Sequence, residues 1–272
     1  MPCSQADYSF LRQLLSSRSD NIVDPSRNDL FDARLYRVAR SRGMNGLDDL
    51  VARLKMSSDP LLTQEVVEAM TINETSFFRD RSPFDLLKDK LLPSLIENRS
   101  QQQTLRLWSA ACSTGQEAYS LAMLLRQHFP QLAQWKIEIV GTDINAEMVR
   151  RARSGRFQRM EVNRGLPARF LLQYFVRDEE EWKAIPELRS MCSFHQRNLS
   201  HAFPVLEKYD GILMRNVLFY FSEATRRLIL RRMHSALCAD GFLLLGASEQ
   251  AGLHDLWQPV VDGSACYYKP RI

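Results

Sequence analysis

The sequence is poor in the features that mark several common protein classes. Its five cysteines, Cys3, Cys112, Cys192, Cys238 and Cys266, are odd in number and far apart, and no CxxC pair occurs. That arithmetic argues against a disulfide framework or a zinc site, and buried free thiols are the expectation for most of them. The five histidines, His128, His195, His201, His234 and His254, show no ligand spacing such as HExxH, so each reads as a surface or packed residue and no metal is expected. No apolar run approaches the roughly 20 residues that cross a bilayer. Residues 1–20 lack a basic segment followed by an apolar core. A cytoplasmic protein without membrane insertion is expected, and the absence of a coiled-coil repeat suggests a monomer. The excess of one charge sign is small, 36 Lys and Arg against 32 Asp and Glu, and it requires no nucleic-acid partner. The glycine fingerprint GxGxxG is missing, which argues against a dinucleotide pyrophosphate site and a nicotinamide dehydrogenase.

What is present has the makeup of a globular chain, with 45% hydrophobic and 25% charged residues over 272 positions. This is room for one large domain or two smaller ones. Residues 1–80 read as a small all-helical domain. Phe10, Leu11, Leu14 and Leu15 have helical spacing, as do Leu30, Phe31, Leu35, Val38 and Ala39. Asp29 is a candidate cap for that second helix. A third helix covers residues 47–54, and a fourth starts near Pro60. The second helix also carries Arg34, Arg37 and Arg40, with Arg42 just beyond. This is either a solvated face or a docking surface for an acidic partner.

Residues 81–103 read as a linker helix, with Pro83 in its first turn. From residue 104 to 272 short apolar strands alternate with helices, which implies a parallel sheet covered on both faces. Residues near 170–196 interrupt the alternation. Phe175-Val176, Trp182 to Ile185 and Met191 to Phe194 suggest a small antiparallel insertion there. The fold class is therefore α/β, a Rossmann-like sheet with an antiparallel β insertion, preceded by a helical domain.

Ligands of open α/β sheets bind beyond the carboxyl ends of the strands, which directs attention to the loops. The first, AACSTGQE (110–117), has small residues and one glycine, compatible with close backbone approach to a ligand or with an ordinary turn. The second, GTD (141–143), ends in an acid that can accept from both ribose hydroxyls. Asp143 could equally cap the next helix, and Asn145 could do so instead. A nucleoside without a pyrophosphate suits these loops better than a dinucleotide. The third, MRNVLFYF (214–221), ends an apolar strand with an Arg-Asn pair that must be satisfied if buried. The fourth, TINETSFFRD (71–80, with NETSFFRD at 73–80), is a polar loop between the helical region and the sheet.

These segments, with WSAACSTGQEAYSLAMLL (108–125), GTDIN (141–145), GFLLLGASE (241–249) and YYKP (267–270), closely resemble the chemotaxis receptor methyltransferases of the CheR family. The similarity runs nearly end to end. It implies a class I methyltransferase domain using S-adenosylmethionine and releasing S-adenosylhomocysteine. The substrates implied are glutamate side chains in the cytoplasmic helical bundle of chemoreceptors. The cofactor-facing residues it implies are Asn73, Thr75, Arg79, Glu117, Asp143, Asn198, Leu199, Arg215 and Asn216. Arg79 and Tyr220 would lie nearest the methyl group, and Arg34, Arg37, Arg40 and Arg42 would meet the receptor. Family members that tether to a receptor C-terminal pentapeptide resemble one another in a Gly-rich loop of the insertion. Here that stretch reads RDEEEW (177–182), so the expectation is direct, untethered recognition. Intact Arg79 and Tyr220 disfavour a non-catalytic cofactor-binding module, and the basic helical domain weighs against a small-molecule substrate.

Overall fold

A computed structural model describes residues 3–202, 208–263 and 265–271. The chain divides into two units, residues 1–72 with 219–225, and residues 73–218 with 226–272.

The first unit is built on four helices, α1 (Gln5–Ser19), α2 (Asn28–Ser41), α3 (Leu47–Met56) and α4 (Pro60–Ala69). Helix α1 starts with a reciprocal capping box, in which Ser4 Oγ accepts from Asp7 N and the Asp7 carboxylate accepts from Ser4 N. Helix α4 starts with Asp59 accepting from Leu62 N and with Pro60 in its first turn. The expected cap at Asp29 is not made. The helix begins at Asn28, and Asp29 sits in the first turn, where its charge complements the helix dipole. Leu11, Leu15, Phe31, Leu35, Leu50 and Val66 are fully buried, which accounts for the apolar spacing in the sequence. The segment Phe219–Thr225 belongs to this unit. Ile22 N donates to the Tyr220 carbonyl at 2.8 Å, and Asn21 bridges Phe221 in antiparallel fashion.

The second unit opens with α5 (Ser82–Leu86) and α6 (Leu92–Asn98), joined through a π-helical turn at Leu87–Leu91. Then come β1 (Thr104–Ala110), α7 (Gln116–His128), β2 (Lys136–Asp143), α8 (Ala146–Ser154), β3 (Arg156–Gln158), α9 (Arg159–Val162), α10 (Ala168–Tyr174), β4 (Phe175–Asp178), β5 (Glu181–Ala184), α11 (Pro186–Arg189) and β6 (Cys192–Gln196). The chain continues through β7 (Tyr209–Met214), α12 (Glu223–Ala236), β8 (Leu237–Leu245), β9 (Trp257–Asp262) and β10 (Ala265–Pro270). The main sheet has the order β6-β2-β1-β7-β8-β10-β9. Its first five strands are parallel, and β10 runs antiparallel to both of its neighbours.

Burial explains the strand sequences. All six residues of β7 are buried, as expected for a strand covered on both faces. The three-stranded antiparallel sheet, β3-β5-β4, forms the expected insertion. One of its strands differs from the sequence reading. Met191 to Phe194 contributes β6 at the edge of the main sheet, with Gly141 opposite Phe194, and Arg156–Gln158 supplies the third strand of the small sheet instead.

Candidate active site

Four chain segments meet at the carboxyl ends of the parallel strands. The loop after β1 contains three residues with left-handed backbone, Ala111, Ser113 and Gly115. Its Ser113 N–H donates to the Asp143 carboxylate at 2.8 Å, at the end of β2. The other Asp143 oxygen accepts from Asn145 N at 2.9 Å. The cap of α8 is Asn145, whose side chain accepts from Glu147 N and Met148 N. That settles the question the sequence leaves open, since Asp143 is not the helix cap. It is a buried carboxylate held between two loops by backbone amides.

The NETSFFRD loop lies across these ends, in the same unit as the sheet. Ser113 Oγ donates to the Asn73 carbonyl at 2.8 Å, and Phe78 N donates to Ser120 Oγ of α7 at 3.0 Å. Phe77 is fully buried. It makes edge contacts with Phe157 at 5.0 Å and Phe175 at 5.7 Å, each within the range where aromatic pairs attract. Gly165 lets the chain pass close by, because a Cβ there would stand 2.1 Å from the Phe77 carbonyl oxygen. Its φ of +86° also disfavours any other residue. The Phe pair is thus a hydrophobic anchor that lets the polar residues around it stand at the sheet edge.

The anchor's far side is tied by Arg215, at the end of β7. Its side chain is 2% exposed. Nη1 donates to Glu117 at 3.0 Å, and Nη2 donates to Asp80 at 2.7 Å and to the Arg79 carbonyl at 2.8 Å. Glu117 in turn accepts from Ser109 Oγ at 2.8 Å. One buried cation between two carboxylates keeps a charge balance that an isolated ion could not sustain away from water. Phe78, Asp80 and Arg81 all have positive φ, so the ion pair secures a turn with little intrinsic preference for its shape. Sequence reasoning missed Asp80, although it lies within the quoted motif; its alternation with Arg79 and Arg81 was the available signal.

The remaining sequence-derived residues fall in different settings. Arg79 is half-buried, donates from Nη1 to the Glu74 carbonyl at 3.0 Å, and makes no other side-chain hydrogen bond among the described residues. The Asn73 and Thr75 side chains make none either. Asn198 accepts from Ser200 N and Oγ, and Leu199 is buried. Asn216 has left-handed backbone at φ 59°. Tyr220 packs against Phe219 in a tilted arrangement, with centroids 4.4 Å apart. In the helical unit, Arg34 donates to the carbonyls of Met70 and Thr71, and Arg42 makes a two-point ion pair with Glu65. Arg37 and Arg40 are exposed, without a side-chain partner among the described residues. Cys112 is buried beside the site. Burial, then the Asp143 and Glu117 carboxylates, push its thiol well above the usual range, so it stays protonated and unreactive.

The chemistry of this edge suits a nucleoside. Asp143 supplies a fixed acceptor at the end of the second strand, Glu117 and Asp80 are held beside it by Arg215, and the loops carry no glycine-rich phosphate cradle. The sheet order, with β10 antiparallel to both its neighbours, is that of the Rossmann-like class I methyltransferase fold. A family model described as "CheR methyltransferase, SAM binding domain" matches residues 73–266. The chain is 36% identical over 276 residues to chemotaxis protein methyltransferase 1 of Pseudomonas aeruginosa, with all of both chains covered. It is also 36% identical over 276 residues to chemotaxis protein methyltransferase Cher2 of Pseudomonas putida, again over the whole of both. Identity to chemotaxis protein methyltransferase 1 of Vibrio cholerae is 34%, covering 98% of this chain and 97% of the relative. The chain belongs to the CheR methyltransferase family.

Proposed function

We propose that the protein esterifies glutamate side chains in the cytoplasmic helical bundle of chemoreceptors, acting as a cytoplasmic monomer. The observation that carries this reading is Arg79. The cation is held at the carboxyl edge of the sheet by one bond to a local carbonyl, with its other N–H groups available. A carboxylate is the acceptor that such a fork recognises best.

A glutamate side chain has an intrinsic pKa of about 4.3 and is already ionised at neutral pH, so no general base is required. S-adenosylmethionine, when bound, supplies a methyl group on a positively charged sulfur that leaves as a neutral thioether. The protein's task is alignment. Arg79 holds one carboxylate oxygen and leaves the attacking lone pair free, and Tyr220 orients the carboxylate or the methyl group. Asp143 holds the ribose, and Asn73, Thr75, Glu117, Asn198, Leu199, Arg215 and Asn216 complete the cofactor site. Alignment of this kind supplies much of the barrier reduction in a displacement reaction. The ester formed is neutral, so each transfer removes one negative charge from the receptor and reduces repulsion between its helices.

Receptor recognition is proposed to be direct. Arg37 and Arg40 are the exposed cations of α2 and suit an acidic helix bundle, while Arg34 and Arg42 shape the surface that presents them. The turn between β4 and β5 is only Glu179-Glu180, with Glu179 at φ 59°, and Arg156 pairs with Asp178 and Glu181 on either side. This short acidic hairpin has no glycine-rich loop and supports recognition without a tethering peptide. The test is methylation of purified receptor cytoplasmic fragments with and without their last residues, followed by peptide mass spectrometry. Methyl groups on glutamates at equal rates in both fragments are expected. Modification of another residue type would overturn the substrate, and dependence on the terminal residues would overturn untethered recognition.

A further inference from the structure

Glu249 lies beyond the end of β8, is 9% exposed, and accepts four backbone N–H groups. Oε2 takes Gly246 N and Asn216 N, both at 2.7 Å. Oε1 takes Val217 N at 2.8 Å and Leu218 N at 2.7 Å. Strands β7 and β8 pair only as far as Met214 and Leu245, so past that point no sheet partner remains for the amides of residues 216–218. Buried amides without partners are costly. Three successive N–H groups converging on one point form the kind of concavity that binds anions, and the protein fills it with its own carboxylate. Space confirms how closely the parts fit, since a Cβ on Gly246 would stand 2.6 Å from Glu249 Oε2 and 2.9 Å from Asn216 N. Asn216 is in left-handed conformation, which asparagine tolerates better than most residues, and the bond from its N–H to Glu249 helps hold it there.

We propose that Glu249 is a positioning residue of the cofactor site. Its carboxylate fixes the backbone of Asn216, Val217 and Leu218, and through it the side chain of Asn216. The inference rests on the reading above that Asn216 faces the cofactor. It assigns Glu249 no contact with substrate.

The test uses the full chain carrying Glu249→Ala, in which a small carboxylate can occupy the vacated space. Amide hydrogen exchange is read at residues 216–218 without ligand, and affinity for S-adenosylhomocysteine is read by calorimetry. Both are measured in sodium formate and in sodium chloride of equal ionic strength. Expected are faster exchange at the three amides, an affinity loss of about tenfold or more, and recovery of both in formate but not in chloride. Unchanged affinity, or a loss that formate does not recover, overturns the proposal. Should Glu249→Ala not fold, Glu249→Gln keeps the volume but turns an amide N–H₂ toward backbone donors. It is expected to fold and to lose affinity, and binding equal to the parent overturns the proposal. Asn216→Ala separates the two readings. If it binds as tightly as the parent, the placement of Asn216 at the cofactor fails, while the exchange data still report whether Glu249 holds the turn.

Discussion

In the helical unit, Arg37 and Arg40 stand exposed on α2 without partners among the described residues. In the sheet unit, Arg215 is buried and bonded to Glu117, Asp80 and a carbonyl. The same side chain serves opposite ends. A solvated guanidinium keeps its hydration and its long-range field, and so suits encounter with an acidic surface. A buried one has exchanged water for fixed carboxylates and so suits the shaping of a loop. Arg34 and Arg42 show that residue type and spacing do not separate these uses, because within one helix region they brace neighbouring chain while Arg37 and Arg40 do not.

The largest effect is expected where the buried network is broken. Arg215→Ala leaves Glu117 and the Asp80 turn without their cation and should destabilise the sheet unit by about 3–5 kcal/mol, read by denaturant titration. A loss below about 1 kcal/mol would show that the network relaxes, and the contrast with the surface arginines would weaken. Next come two residues proposed for one site in different roles. Asp143→Ala should weaken S-adenosylhomocysteine binding about ten- to a hundredfold, in line with the loss of charged hydrogen bonds. Arg79→Ala should lower turnover on the order of a hundredfold with a smaller change in that affinity. Equal losses in both quantities for both variants would erase the division between them.

Smaller effects belong to the helical unit. Arg37→Glu with Arg40→Glu should raise KM for receptor several-fold, as for exposed charges worth about 0.2–1 kcal/mol each, leave kcat alone, and flatten the dependence on salt. A change confined to kcat would move these residues from docking to structure. An effect of similar size lies at the start of α1. The hydrogen bond from Lys55, then those from Ser4, hold the Asp7 carboxyl down at about 2, below its ordinary 3.8. A lowered folded-state pKa contributes stability that is complete above 3.8 and is lost as pH falls toward about 2. Ser4→Ala should cost about 1 kcal/mol near neutrality and make the acid loss shallower over that window. An unaltered acid profile would remove the cap from the account.

Much of this was legible in the sequence because local rules carried it. The four N-terminal helices follow from apolar spacing, and the parallel sheet follows from alternating short strands and helices. The motif loops fall at the carboxyl ends of strands, where such folds bind ligands. What escaped depends on partners far away in the chain. Cys192–Gln196 became an edge strand of the main sheet because it pairs with β2, about fifty positions earlier, and nothing local distinguishes it from a strand of the insertion. Asp143 and Asn145 are both good caps, and only geometry shows that Asn145 takes the helix while Asp143 accepts from the loop amides. Arg42 is a surface charge, but its partner Glu65 lies 23 positions further along the chain. Glu249 was visible as one letter of a motif, but its partners are backbone amides some thirty residues away, and amides carry no sequence signature.

The central claim is carboxyl methylation, and it is tested most directly by transferring labelled methyl groups from S-adenosylmethionine to membranes bearing the cognate chemoreceptors, then treating with mild alkali. The account predicts label on the receptor band that alkali releases, as an ester must. Label that survives alkali, or no label in a preparation that binds the cofactor, would contradict it.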